Sequence, residues 1–166
     1  IYQYCGNQHL AITRIDRLSD DYRGVNGQAR RLEDQRRNLD LAHELLEKGW
    51  GLFLGKPEAQ QLELQGKLQP VEVRVRFYPR VMGFILEGAL RHPSQAIETG
   101  PTESDTGKPA YVDYIVQLPE RSIQEFSFWV YRFMGNVQVL APDWLVEKHA
   151  EAASKQAAYY TSGLEP

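Results

Sequence analysis

An α+β fold is what the sequence predicts, with a short β element at the front and six elements in the order βαββαβ behind it. Three observations carry this. Residues 71–77, Val-Glu-Val-Arg-Val-Arg-Phe, alternate strictly between apolar and charged, the mark of a strand with one buried face. Tyr111–Leu118 and Val137–Leu140 are apolar stretches of strand length. Pro79 and Pro119 each stand at the head of an apolar stripe with helical spacing, where proline is suited to the first turn.

In chain order, Ile1–Cys5 and His9–Leu18 read as two short strands around a Gly6-Asn7 turn. Leu10, Ile12, Arg14 and Asp16 share one face of the second strand, so Arg14 stands among apolar neighbours. Residues 19–39 are polar and arginine-rich and read as a linker or exposed loop. Asp40 reads as the N-cap of a short helix carrying Leu41, Leu45 and Leu46 on one side, stopped by Gly49. Trp50–Gly55 follows as a buried strand or docking segment, and residues 56–70 as a linker.

Behind the first alternating strand, the helix from Pro79 presents Val81, Phe84, Ile85 and Leu86 and is broken at His92-Pro93. Residues 94–98 form a second strand, and residues 99–109, with two glycines and two prolines, a long hairpin loop. Tyr111–Leu118 is the third strand. The helix from Pro119 runs to about Phe133 with Ile123, Phe126, Trp129, Val130 and Phe133 on one side, and Gly135-Asn136 ends it. A fourth strand, Val137–Leu140, and an alanine-rich helix from Pro142-Asp143 to about Tyr160 complete the chain. The order βαββαβ is the split, ferredoxin-like arrangement, with helices on one face of the sheet and the first strand central. The expected domains are residues 1–55, a linker over 56–70, and the α/β module 71–166.

Composition narrows the function. A chain of 166 residues that is 42% hydrophobic and 25% charged is a globular domain or two small ones rather than a disordered one. No apolar run is long enough to span a bilayer. A formal charge of -3 and a pI near 5.8 argue against nonspecific coating of duplex DNA. The single cysteine, Cys5, cannot form an internal disulfide and points to a reducing, cytoplasmic compartment. Four scattered histidines with one cysteine have no zinc-ligand spacing, and no cofactor is expected. No Gly-x-Ser-x-Gly, P-loop or His-Glu-x-x-His pattern occurs, so catalysis is not expected. Ser94 beside His92 is the nearest approach to a nucleophile and base, and reads better as a helix-to-strand junction. The chain begins at Ile1, without methionine and inside a strand, and is expected to be a fragment.

The candidate ligand contacts are arginines, whose rigid, permanently charged forks suit phosphate. Arg14 and Arg17 leave opposite faces of their strand and cannot form one clamp. Arg14 has the alternative of a structural pair with Asp16 or Asp40. Arg74 and Arg76 share the open face of the central strand, about 7 Å apart by strand rise. Tyr111 is placed to stack on a base and Asp113 to neutralise an arginine, and a cross-strand salt-bridge ladder is the alternative to ligand binding here. Tyr2, Tyr4 and His9 are further candidates beside the first site.

Arg14-Ile15-Asp16-Arg17-Leu18 resembles the "RLDRI" strand of WYL-domain proteins, and Tyr2–Cys5 resembles the strand before it. Leu39–Gly55 resembles the bridging helix and exit segment of that domain. Val71–Phe77, Arg91–Gln95, and Trp129–Phe133 through Leu140-Ala141-Pro142 resemble the family's C-terminal extension. These segments follow the family's order through most of the chain. The resemblance implies an Sm-like, SH3-type β-barrel followed by an α/β extension. The barrel is partial, since the Trp-Tyr-Leu triplet would precede or overlap residue 1. It implies the sensor half of a bacterial transcription regulator, a homodimer whose helix-turn-helix domain, the DNA reader, is missing here. The ligand it implies is nucleic acid or nucleotide-like. Arg14 matches a pocket arginine of the family, whereas Ala11 and Thr13 stand where a basic and an aromatic residue are frequent. Some relatives are accessories of nucleic-acid defence systems, which makes an interaction module the alternative.

Overall fold

The computed structural model describes residues 2–5, 9–12, 31–88 and 90–161. The chain is mixed α+β, with a four-stranded sheet, a two-stranded ribbon and five α-helices among the described residues. It divides into two compact units, Ile1–Pro70 with Leu118–Trp129, and Val71–Gln117 with Val130–Pro166. No described helix is long and apolar enough to cross a membrane.

In the first unit, β1 (Tyr2–Cys5) and β2 (His9–Ile12) pair antiparallel, with Tyr2 opposite Ile12 and Cys5 opposite His9. Helix α1 spans Leu32–Lys48, so residues 32–39, expected as linker, are helical. The polarity that signalled a loop marks a solvated helix face. Arg, Glu and Gln are good helix formers, Glu33 and Asp34 meet the positive end of the dipole, and Asp34–Arg37 and Glu44–Lys48 are paired at 2.7 Å. Helix α2, Pro57–Leu64, lies within the other expected linker, with Pro57 in its first turn. Its Gln60 is buried and serves as a surrogate strand for β2: Nε2 donates to Leu10 O at 2.8 Å, and Oε1 accepts from Leu10 N at 3.0 Å. Leu10, Ala42, Leu45 and Leu54 form an apolar cluster, flanked by Leu41, Leu46 and Leu64.

Trp50–Gly55, expected as a strand or docking segment, is no strand but docks on the start of helix α4 (Ile123–Tyr131). Trp50 N donates to Ser122 Oγ at 2.9 Å, and its ring meets Phe126 and Trp129, each at 5.0 Å between centroids. Arg121 holds these pieces together. Its guanidinium donates to both Glu63 carboxylate oxygens at 2.7 and 2.8 Å, to Phe53 O at 2.8 Å and to Leu45 O at 2.6 Å. It thereby satisfies a carbonyl in the last turn of α1 and a buried carboxylate of α2. Gly55, at φ +82°, leaves room for it, since a Cβ there would stand 2.9 Å from Arg121 Cδ.

In the second unit the sheet order is β4 (Ala96–Thr99), β5 (Val112–Leu118), β3 (Val71–Phe77), β6 (Val137–Ala141). Strand β3 is central, as expected. Val73, Val75 and Phe77 are fully buried on one face, with Val112, Tyr114 and Val116 of β5, and the charged residues of β3 point the other way. Helix α3 (Pro79–Leu86) packs against β3 and α5 (Asp143–Thr161) against β6. The expected stripe of α3 is corrected: Met82 and Ile85 are buried, while Phe84 and Leu86 are exposed, since two turns offer only one i, i+3 pair to the core. Strand β4 starts at Ala96 rather than residue 94, because a turn closed by Gln95 N donating to His92 O precedes it.

Arg121 and Glu63 have side chains only 6% and 8% exposed, so breaking the pair strands a buried charge. An Arg121→Met variant is expected to lose about 3 kcal/mol in urea denaturation, and Arg121→Met/Glu63→Leu less than the sum of the single changes. A second expectation concerns pH. His149 stacks on Tyr131 at 4.4 Å, its Nε2 is buried with no hydrogen-bond partner among the described residues, and burial, with Lys148 nearby, holds its pKa below the ordinary value. With the folded pKa below the unfolded one, its contribution is present above about pH 6.5 and is lost as pH falls through that value to the folded pKa. Stability measured from pH 7.5 to 5.5 should therefore fall, and less steeply in His149→Phe.

Candidate functional site

The open face of the sheet gathers charge from three strands. Strict alternation in β3 places Glu72, Arg74 and Arg76 there. Asp113 of β5 and Glu98 of β4 stand directly opposite each other across the strand pair. Two guanidiniums and three carboxylates thus share this face.

Arg76 is held in a fork. Its Nε and Nη2 donate to Asp113 Oδ1 and Oδ2 at 2.8 and 2.9 Å, and its Cζ lies 3.5 Å from the Tyr111 ring centroid. The hydrogen bond to Asp113 raises the Arg76 pKa further above its ordinary value. Tyr111 closes against Gly100, where a Cβ would come within 2.7 Å of the ring. Arg74 is held more lightly. Its Nη1 donates to Glu98 Oε2 at 2.9 Å and lies 3.7 Å from Asp113 Oδ2, beyond a hydrogen bond. Glu72 accepts from Gln117 Nε2 at 2.7 Å, and Tyr78 Oη donates to Gln138 Oε1 at 2.9 Å.

Of the residues singled out from the sequence, Arg74, Arg76 and Tyr111 come together, with Asp113 neutralising Arg76. The contacts drawn are those of the salt-bridge ladder, and one face of Tyr111 is covered by Arg76 rather than open to a base. Tyr2 and Tyr4 fall on β1, opposite Ile12 and Leu10, and His9 falls on β2 opposite Cys5. Arg14 and Arg17 lie outside the described residues. Glu98 was not foreseen: read as the last residue of a strand over 94–98, it gave no sign of facing Arg74.

At the junction before β4, His92 Nδ1 lies 2.8 Å from Ser94 Oγ. That oxygen also accepts from Gln117 N at 3.0 Å and sits 3.1 Å from Gln117 O, so it staples the approach to β4 onto β5. Among the described residues no three His, Cys, Asp or Glu side chains are grouped to hold a metal.

The two arginines differ in what their loss of a counter-ion should cost. Asp113→Ala, which leaves a 27% exposed guanidinium without its fork, is expected to destabilise by about 2 kcal/mol. Glu98→Ala removes an exposed pair and relieves the like charge opposite Asp113, and should change stability by no more than about 0.5 kcal/mol. Chemical denaturation of the two variants tests this ordering.

No curated protein and no solved structure matches the chain. A family model, the WCX domain, matches residues 69–157, just over half of the sequence, and takes in the whole four-stranded sheet and its charged face. The chain therefore belongs to the WCX-domain family.

Proposed function

We propose that this chain is the ligand-sensing and dimerisation region of a bacterial WYL-type transcription regulator. The observation that carries the reading is the WCX match over residues 69–157, downstream of the Arg14-Ile15-Asp16-Arg17-Leu18 motif in the order of that family. The strand order β4-β5-β3-β6 supports a ferredoxin-like extension, and the β1–β2 ribbon supplies two strands for an Sm/SH3-like barrel. The region binds rather than catalyses. Its ligand is anionic, single-stranded nucleic acid or nucleotide-like, with Arg14 and Arg17 as primary contacts and Tyr2, Tyr4 and His9 beside them. Arg74 contributes from the sheet, beside the paired Arg76. Binding biases the geometry of a homodimer, and so the spacing of helix-turn-helix domains on DNA, in the cytoplasm. The excess of carboxylates over guanidiniums on the sheet face favours a second reading, an interaction module that meets a basic protein partner.

Fluorescence anisotropy with short labelled single-stranded DNA and RNA at two salt concentrations tests the proposal. Affinity should fall with salt, and Arg14→Ala should weaken it about tenfold while lowering the salt slope by roughly one phosphate contact. Absence of binding at low salt contradicts the anion sensor and favours the interaction module; unchanged affinity in Arg14→Ala removes that residue from the site.

A further inference from the structure

We propose that Arg74 is a phosphate seat kept closed by Glu98, which a phosphate group of the ligand displaces. The inference rests on the anion-sensing reading above and names where on the sheet, and by what exchange, the ligand engages.

The counter-ions of Arg74 and Arg76 are unequal. Asp113 is 4% exposed and grips Arg76 with both oxygens, so an anion must break two hydrogen bonds to take its place. Glu98 is 58% exposed and offers Arg74 one oxygen, an arrangement of the kind that water and salt compete with readily. Position adds to this. Glu98 lies on β4, at the edge of the sheet, whose four residues are all exposed. It faces Asp113 directly, so two carboxylates repel each other, with Arg74 bonded to one and 3.7 Å from the other. Release of Glu98 into water therefore costs only one exposed bond, and the incoming phosphate meets the repulsion from Asp113 that Glu98 met. On the other side of β3, the pairing with β6 shifts register between Arg74 and Val75, with Leu140 the extra residue. Such bulges re-aim side chains beside functional sites.

The seat takes one phosphate. The phosphate takes the place that Glu98 leaves, and Asp113 Oδ2, on the same side of β3 and 3.7 Å from Arg74 Nη1, limits the seat to one anion. Tyr111 is covered by Arg76 at 3.5 Å, so no base stacks on that ring face, and the seat reads the phosphate without regard to base sequence.

The test uses the whole chain and a labelled single-stranded thymidine octamer, with and without a 5′ phosphate, in fluorescence anisotropy. Glu98→Gln frees Arg74 and should tighten binding about fivefold. Glu72→Gln removes the same charge from the same face but leaves both arginines paired, and should tighten it no more than about twofold. The gain should vanish in Glu98→Gln/Arg74→Gln. A gain confined to the 5′-phosphorylated octamer assigns the seat to a terminal phosphate, and an equal gain for both assigns it to the backbone. Equal effects of Glu98→Gln and Glu72→Gln, or a gain that survives the double change, overturn the seat. Wild-type binding that responds to Arg14→Ala but not to Glu98→Gln overturns the seat alone. Failure of both the wild type and Glu98→Gln to bind at low salt overturns the seat and the sensor reading together.

Discussion

The fork between Arg76 and Asp113, covered by the Tyr111 ring, is the constraint on which the open face of the sheet rests. A guanidinium in the middle of a sheet is tolerated only with a partner of matching geometry. Asp113 supplies it from the next strand, almost fully buried. Once Asp113 is committed to Arg76, its cross-strand neighbour Glu98 is a like charge, and Arg74 becomes the group that holds the edge strand's carboxylate in place. The alternation of β3 dictates both consequences. Val73, Val75 and Phe77 cannot be buried without sending Arg74 and Arg76 to the opposite face.

A second polar solution organises the first unit. Arg121 reaches the end of α1, the Trp50–Gly55 segment and α2 with one side chain, and Gln60 completes the backbone bonding of Leu10. Leu45, Ala42, Leu10 and Leu54 make one apolar cluster of this unit, and the satisfied polar groups beside it add specificity. The segment 118–129 falls inside the WCX match yet clusters with residues 1–70, so the family's sequence boundary and the boundary of the compact unit do not coincide.

How much of this was legible depends on the range of each interaction. The strict period of Val71–Phe77 announced the central strand and its charged face, and prolines at 79 and 119 announced the helix starts, because these signals are local. Asp113 could be named as an arginine's counter-ion because it lies two positions from Tyr111 on a readable strand. The first half of α1 and all of α2 were missed because Arg, Glu and Gln read as solvent whether they lie on loops or on helices. Gln60, Glu63 and Arg121 were missed for another reason: their partners lie about fifty or more residues away, and no local pattern records them. Glu98 belongs with these, since its role follows from a strand order and register that composition does not contain.

The contrast between a fixed and an exchangeable arginine is open to direct observation. Side-chain Nε–Hε resonances of Arg74 and Arg76, assigned by single substitution, would be followed by NMR as a 5′-phosphorylated thymidine octamer is added. The account predicts that the Arg76 resonance, protected by Asp113 and Tyr111, stays in place while that of Arg74 moves with saturation. Movement of Arg76, or a stationary Arg74 under conditions where the octamer binds, would contradict it.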